Sequence, residues 1–452
     1  MDGPDLIIRS QRVVTPENIG PASVRIRNGV IEALGEWDEV LEPAVPFVDA
    51  GDAVVMPGLV DSHVHVNEPG RTQWEGFVTA TRAGAAGGVT TLVDMPLNSI
   101  PPTTTMDGFA QKLAAAKGQC WIDVGFWGGV IPGNTNELRP LLDAGVCGFK
   151  CFLVHSGVDE FPHVTETDLR EAMPELAKHN SVLLVHAELS EPIENAAEEL
   201  KGANAHDYQT FLRSRPRESE NKAVELMIRL CRETGARVHI VHHSSSDVLP
   251  LLKAARSEGL PLTVETCPHY LTFAAEEVPD GATLYKCCPP VRERENRELL
   301  WAALAEGVID MVVSDHSPCT PNLKLMEDGN FLEAWGGIAA LQFSLPVMWT
   351  QAEKRGFGLR ELTQWMSVAP SKLAGLDKRK GRLETGYDAD IVVWSPEKEF
   401  KVVPEIIHFK NKITPYFGMN LRGVVDATYV RGAKVYEQGS FAATANGKLR
   451  LK

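Results

Sequence analysis

The chain has no CxxC pair among its eight cysteines, which stand at 120, 147, 151, 231, 267, 287, 288 and 319. That usage excludes a structural zinc ribbon and a disulfide-stapled scaffold, and it fits a reducing compartment. A surplus of positive charge is also missing: 45 Lys and Arg against 60 Asp and Glu leave a formal net charge of -15. A nucleic-acid backbone or an anionic membrane surface is a poor partner for such a chain. Apolar runs are broken by Gly, His or charge before the roughly 20 residues that a bilayer requires, so no transmembrane span is predicted. The segment MDGPDLIIRS (1–10) lacks the basic start and long apolar stretch of a secretion signal, and the expectation is a cytoplasmic protein. The glycine-rich phosphate fingerprint of a doubly wound nucleotide-binding sheet is absent too.

What is present is a chain of 452 residues, 44% hydrophobic, with material for a large core and more than one ordinary domain. LIIRSQRVV, SVRIRNGVIEALG and VPFVDAGDAVV near the start, and YDADIVVWSP and DATYVRGAKVYEQG near the end, alternate with the period of short strands. They predict a small β-sandwich domain built from both termini, residues 1–56 plus 382–452. Between them eight apolar runs recur at 54–66, 90–96, 121–130, 147–154, 181–188, 236–245, 262–270 and 309–319, with helical patterns in the gaps. The alternation is that of βα units, and eight of them predict an α/β fold with a (β/α)8 TIM barrel over residues 57–381. The polar stretch from Glu191 to Glu220 reads as a long loop and one helix over the barrel's upper face.

Ionisable residues end several of these runs, which is where barrel enzymes carry their chemistry. His63 and His65 are two apart on one strand and so share a face, as two imidazoles converging on one ion would. Lys150 lies in GFKCFL, where a bare ammonium would be costly; it must be neutral, paired, or converted by carbon dioxide to an anionic carbamate able to bridge two cations. His186 ends the fifth run. Of the neighbours His242 and His243, alternation lets only one face inward. Asp315 follows an apolar stretch and needs a cation, a hydrogen-bond partner or a proton. Singly, each could be a satisfied polar group at a barrel mouth. Together they predict a hydrolytic centre of two divalent ions with oxygen and imidazole donors, Zn first and Mn, Co or Fe as alternatives. A nucleophilic Cys267 or Cys319 lacks any visible base with its orienting partner.

PGLVDSHVHVNEPGR (57–71), GFKCF (148–152), VHAE (185–188), VHHSS (241–245), CPHY (267–270), SDHSPC (314–319) and GRLETGYDADIVVW (381–394) resemble the cyclic amidohydrolases, the group that includes hydantoinases, dihydropyrimidinases, dihydroorotases and allantoinases. The resemblance covers nearly the whole chain, in the group's order and spacing. It implies that His63 and His65 hold a buried metal ion, His186 and His242 an exposed one, that carboxylated Lys150 bridges both, and that Asp315 joins the buried ion. The implied reaction is attack by a bridging hydroxide on a ring amide carbonyl, with Asp315 passing the proton to the leaving ring nitrogen. Dihydroorotase-like members carry an Arg and an Asn that grip a substrate carboxylate where this chain has Asn67 and Leu97, which disfavours an acidic ring. EPGRTQWEGF, MPLN, KCCPPVR and AWGGI resemble most the allantoinase branch, whose substrate is neutral. Asn98, Cys288 and Ser317 are the candidate substrate contacts, and a homotetramer is the implied assembly. Arg71 could pair with Glu68 on the surface. A hydantoinase or dihydropyrimidinase is the alternative enzyme, and a non-catalytic dihydropyrimidinase-like scaffold the alternative of another class.

Overall fold

The computed structural model describes residues 5–38 and 45–449; the parts of the terminal-domain expectation at 1–4, 39–44 and 450–452 lie outside the described residues. The protein is an α/β structure. Its parallel strands are β1 (Leu59–Val64), β2 (Val89–Asp94), β3 (Asp123–Phe126), β4 (Phe149–Phe152), β5 (Val182–His186), β6 (Arg237–Ile240), β7 (Leu262–Thr266) and β8 (Met311–Val312). β1, β2 and β3 pair in that order, and β8 through β4 form a second parallel run that ends on the short strand Gly128–Gly129. Gly128–Gly129 directly follows β3 in the chain, and a parallel bridge from Val64 to His316, just past β8, joins the two runs at their other side. Every residue of β1 to β5 is buried. A strand buried on both faces reads as a continuous apolar run, and for that reason the polar residues among them stand out in the sequence.

A nine-stranded sheet draws Leu6–Val14, Ile19–Arg27, Val30–Gly35, Phe47–Asp49 and Val54–Pro57 from the early chain and Ile391–Lys401, Asn420–Val430, Ala433–Glu437 and Ser440–Phe441 from the late chain. Val54–Pro57 unites the two halves, parallel to Leu6–Val14 and antiparallel to Ile391–Lys401. This sheet is pinned to the parallel strands by a buried ion cluster. Lys380 Nζ lies 2.7 Å from Asp123 at the start of β3 and 3.0 Å from Asp388, it also meets Asp390, and Arg431 pairs with Asp123.

The Glu191–Glu220 region departs from the expected single helix. Helices Ser190–Glu199 and Tyr208–Ser214 precede the long helix Arg217–Thr234. Asp207 caps the second by accepting from Gln209 N, and Pro216 opens the third, so two punctuation marks that read as loop are helix starts. Among the described residues no helix is long and apolar enough to cross a membrane.

Candidate metal centre

The C-terminal ends of the parallel strands surround a cavity of about 380 Å³. His63, His65, Lys150, His186, His242 and Asp315 all line it, and so do Asn98, Cys288 and Ser317. All nine residues singled out in the sequence therefore meet in one place, although they come from segments more than 250 positions apart.

Two sub-clusters are visible. His63 Nε2 and His65 Nε2 approach the same Asp315 oxygen, at 3.2 and 3.7 Å. On the other side, His186 Nδ1 faces His242 Nε2 at 2.9 Å. Lys150 is fully buried, its Nζ has no hydrogen-bond partner, and it stands 5.1 Å from the Phe152 ring. Burial lowers its amine to about 8, so a neutral, nucleophilic fraction is present near neutral pH. Burial likewise pushes the Asp315 carboxyl upward, and it holds His65 and His242 well below the usual imidazole range. Four imidazoles, a carboxylate and an orphaned buried amine are a poor self-contained network but a fitting donor set for two cations. The backbone bends to build it: His242 and Asp315 take left-handed conformations with φ of 35° and 43°. That conformation is rare for non-glycine residues and clusters at functional sites.

A second layer fixes which nitrogens face inward. Glu265 on β7 accepts from His63 Nδ1 at 2.5 Å and from His239 Nε2 at 2.9 Å, and the backbone N–H of His242 donates to it at 3.1 Å. Glu188 accepts from His186 Nε2 at 2.7 Å and is gripped through both oxygens by Arg215. Phe152 stacks on the His186 ring at 4.6 Å. With one nitrogen of the His63 and His186 rings committed outward to these carboxylates, the other presents its lone pair to the cavity. Sequence reading missed Glu265 and Glu188, yet each is an acid in a strand-end motif, LTVET and VHAE, and the reasoning applied to Asp315 would have found them. His243 turns away from the cavity, its Nδ1 3.2 Å from Glu220.

The surface pair expected between Arg71 and Glu68 does not form. Arg71 pairs with Glu160 and donates to Asn98 O at 2.9 Å, while Glu68 caps the helix Phe77–Ala86 by accepting from Phe77 N at 2.9 Å. The helix N-terminus, with its free N–H groups, is the better partner for that carboxylate. Glu75, two residues before that helix, is fully buried 3.2 Å from His316 Nε2. Two further groups of potential ligands occur among the described residues. Asp123, Asp388 and Asp390 surround Lys380 Nζ, which already serves as their cation. Cys267 and His269 lie close to Asp315.

The family model for the amidohydrolase family matches residues 54–435. The chain is 51% identical to an allantoinase of Streptomyces avermitilis over 98% of its own length and 97% of that protein. It is 54% identical to a mitochondrial allantoinase of Aquarana catesbeiana over 82% of its length and 76% of the relative. Among solved structures, an L-hydantoinase (dihydropyrimidinase) from Arthrobacter aurescens superposes with a TM-score of 0.94 at 32% identity, covering 99% of this chain and all of that one.

Proposed function

The chain belongs to the amidohydrolase family as a cyclic amide hydrolase, and we propose that it opens the hydantoin ring of allantoin to give allantoate, a step of purine breakdown. The observation that carries this reading is the convergence of His63 and His65 on one Asp315 oxygen beside a buried, partnerless Lys150. The choice of substrate rests on the allantoinase relatives and on the missing carboxylate clamp. Asn67 donates to Pro318 O at 3.4 Å, and Leu97 is apolar, so neither offers a cation to an acidic ring.

Two divalent cations, Zn first and Mn, Co or Fe as alternatives, would be held by His63, His65, His186, His242, Asp315 and Lys150 carried as its carbamate. Bound there, they supply a Lewis acid for the ring carbonyl and lower the pKa of water. Lys150 reaches the carbamate when its neutral amine adds to carbon dioxide and releases one proton, a reaction that its lowered pKa favours. Asp315 accepts the proton of the attacking water and returns it to the leaving ring nitrogen. Asn98, Cys288 and Ser317 contact the ring from the cavity wall. Glu265 and Glu188 keep the imidazoles aimed.

The eight parallel strands are read as a closed (β/α)8 barrel over residues 57–381, with a β-sandwich domain formed by 1–56 and 382–452. A cytoplasmic homotetramer completes the reading, supported by eight free cysteines for the compartment and by family resemblance for the assembly. Turnover of allantoin, hydantoin, dihydrouracil and dihydroorotate by the purified protein tests the proposal. Allantoin is expected to be the best substrate by kcat/KM, and a higher value for any other overturns it.

A further inference from the structure

Asn98 is almost fully buried at the cavity wall, and its Oδ1 has no partner, while its Nδ2 lies 3.4 Å from His65 Nδ1. The opposite nitrogen of that ring, Nε2, faces Asp315 at 3.7 Å, on the side where a cation would be held. A His65 that serves as a ligand keeps its lone pair on Nε2 and its proton on Nδ1. Two donors, Nδ1–H and the Asn98 NH2, would then face each other, with an acceptor orphaned on the same side chain. A half-turn of the carboxamide, whose N and O are nearly equal in size, removes both faults at once. It sets Oδ1 against the Nδ1–H and moves the NH2 to where the orphaned oxygen stands.

We infer that Asn98 is the positioning residue for His65, accepting from its Nδ1–H. The inference rests on the proposed metal centre and goes beyond it by naming the side chain that sets the His65 ring. It also gives Arg71 a task. Asn98 has a φ of 65°, a left-handed conformation that asparagine tolerates better than most residues. Arg71 holds that bend by donating to Asn98 O, while it pairs with Glu160 and lies 5.1 Å over the Trp74 ring. The EPGR motif thus reaches the site through the backbone of Asn98 rather than through chemistry of its own.

Two variants of the metal-loaded protein test it. Asn98→Gly removes the carboxamide and tolerates the left-handed backbone. Asn98→Asp keeps an acceptor for His65. Zn dissociation constants are measured by chelator competition. Asn98→Gly is expected to weaken Zn binding about tenfold or more, the usual effect of losing a ligand's orienting partner. Asn98→Asp is expected to bind Zn within about twofold of the wild type. Unchanged Zn affinity in Asn98→Gly, or an equal loss in Asn98→Asp, overturns the inference. A wild-type protein that binds Zn but leaves allantoin intact refutes the substrate reading instead, and the Zn measurement still decides the role of Asn98.

Discussion

Glu265 Oε1 accepts from His63 Nδ1 at 2.5 Å while its other oxygen takes His239 Nε2 at 2.9 Å, so one buried carboxylate governs the ring that points at Asp315. Opposite charges and hydrogen bonds hold Glu265 well below the usual carboxylate range despite its burial, and it stays an acceptor on both oxygens. Glu265→Gln would set an NH2 against one of these donors. We expect the variant to fold and to bind Zn about 10- to 100-fold more weakly. Chelator competition checks this, and wild-type affinity would remove Glu265 from the site.

Lys150→Ala removes the amine on which the proposed carbamate bridge would be built. Activity is expected to fall nearly to background and to return in part when a short carboxylic acid or bicarbonate is added, because a free anion can occupy the emptied space. Full activity without any additive would reject the carbamate. Cys151, next in the chain, is no substitute: it is buried and its thiol is pushed up to about 12.

Asp315→Asn keeps the size and most contacts of the side chain but can no longer take a proton. Turnover should fall by about 10²- to 10⁴-fold, the usual worth of general acid–base help, while thermal stability changes little. Steady-state kinetics beside a melting curve separates the two. Near-normal kcat would move the proton to another group.

The strand ends were legible in the sequence because β1 to β5 are buried throughout, so that each His, Lys or Asp interrupts a run of apolar letters. The orienting layer was less legible. Glu188 and Arg215 meet only because the helices between 190 and 234 fold back over β5, and no local pattern announces a contact 27 residues apart. Sequence reading placed the stretch after Lys401 only within the terminal domain, 382–452. In the fold it packs against the residues that precede the helix Phe77–Ala86: Asn411 donates to Trp74 O at 2.7 Å, and the Lys410 backbone donates to Glu75. Such packing depends on how the late strands sit against the parallel sheet, and periodicity carries no record of that.

Lys380 gives a prediction about stability rather than catalysis. It is buried among Asp123, Asp388 and Asp390, and its removal in Lys380→Met leaves those carboxylates without their central cation. We expect a loss of about 3–5 kcal/mol in the unfolding free energy, the cost of breaking a buried ion pair from one side. Denaturant titration measures it. A change below about 1 kcal/mol would mean that Arg431 and Arg379, which pair with Asp123 and Asp388, suffice.

The central claim, that six residues from five strand ends form one two-ion hydrolytic centre, is tested most directly by adding Zn back to chelator-stripped protein while following allantoin hydrolysis. Activity is expected to be absent without metal, to rise with added Zn and to level off at two ions per chain. Full activity in the stripped protein, or saturation with no more than one ion per chain, would contradict the account.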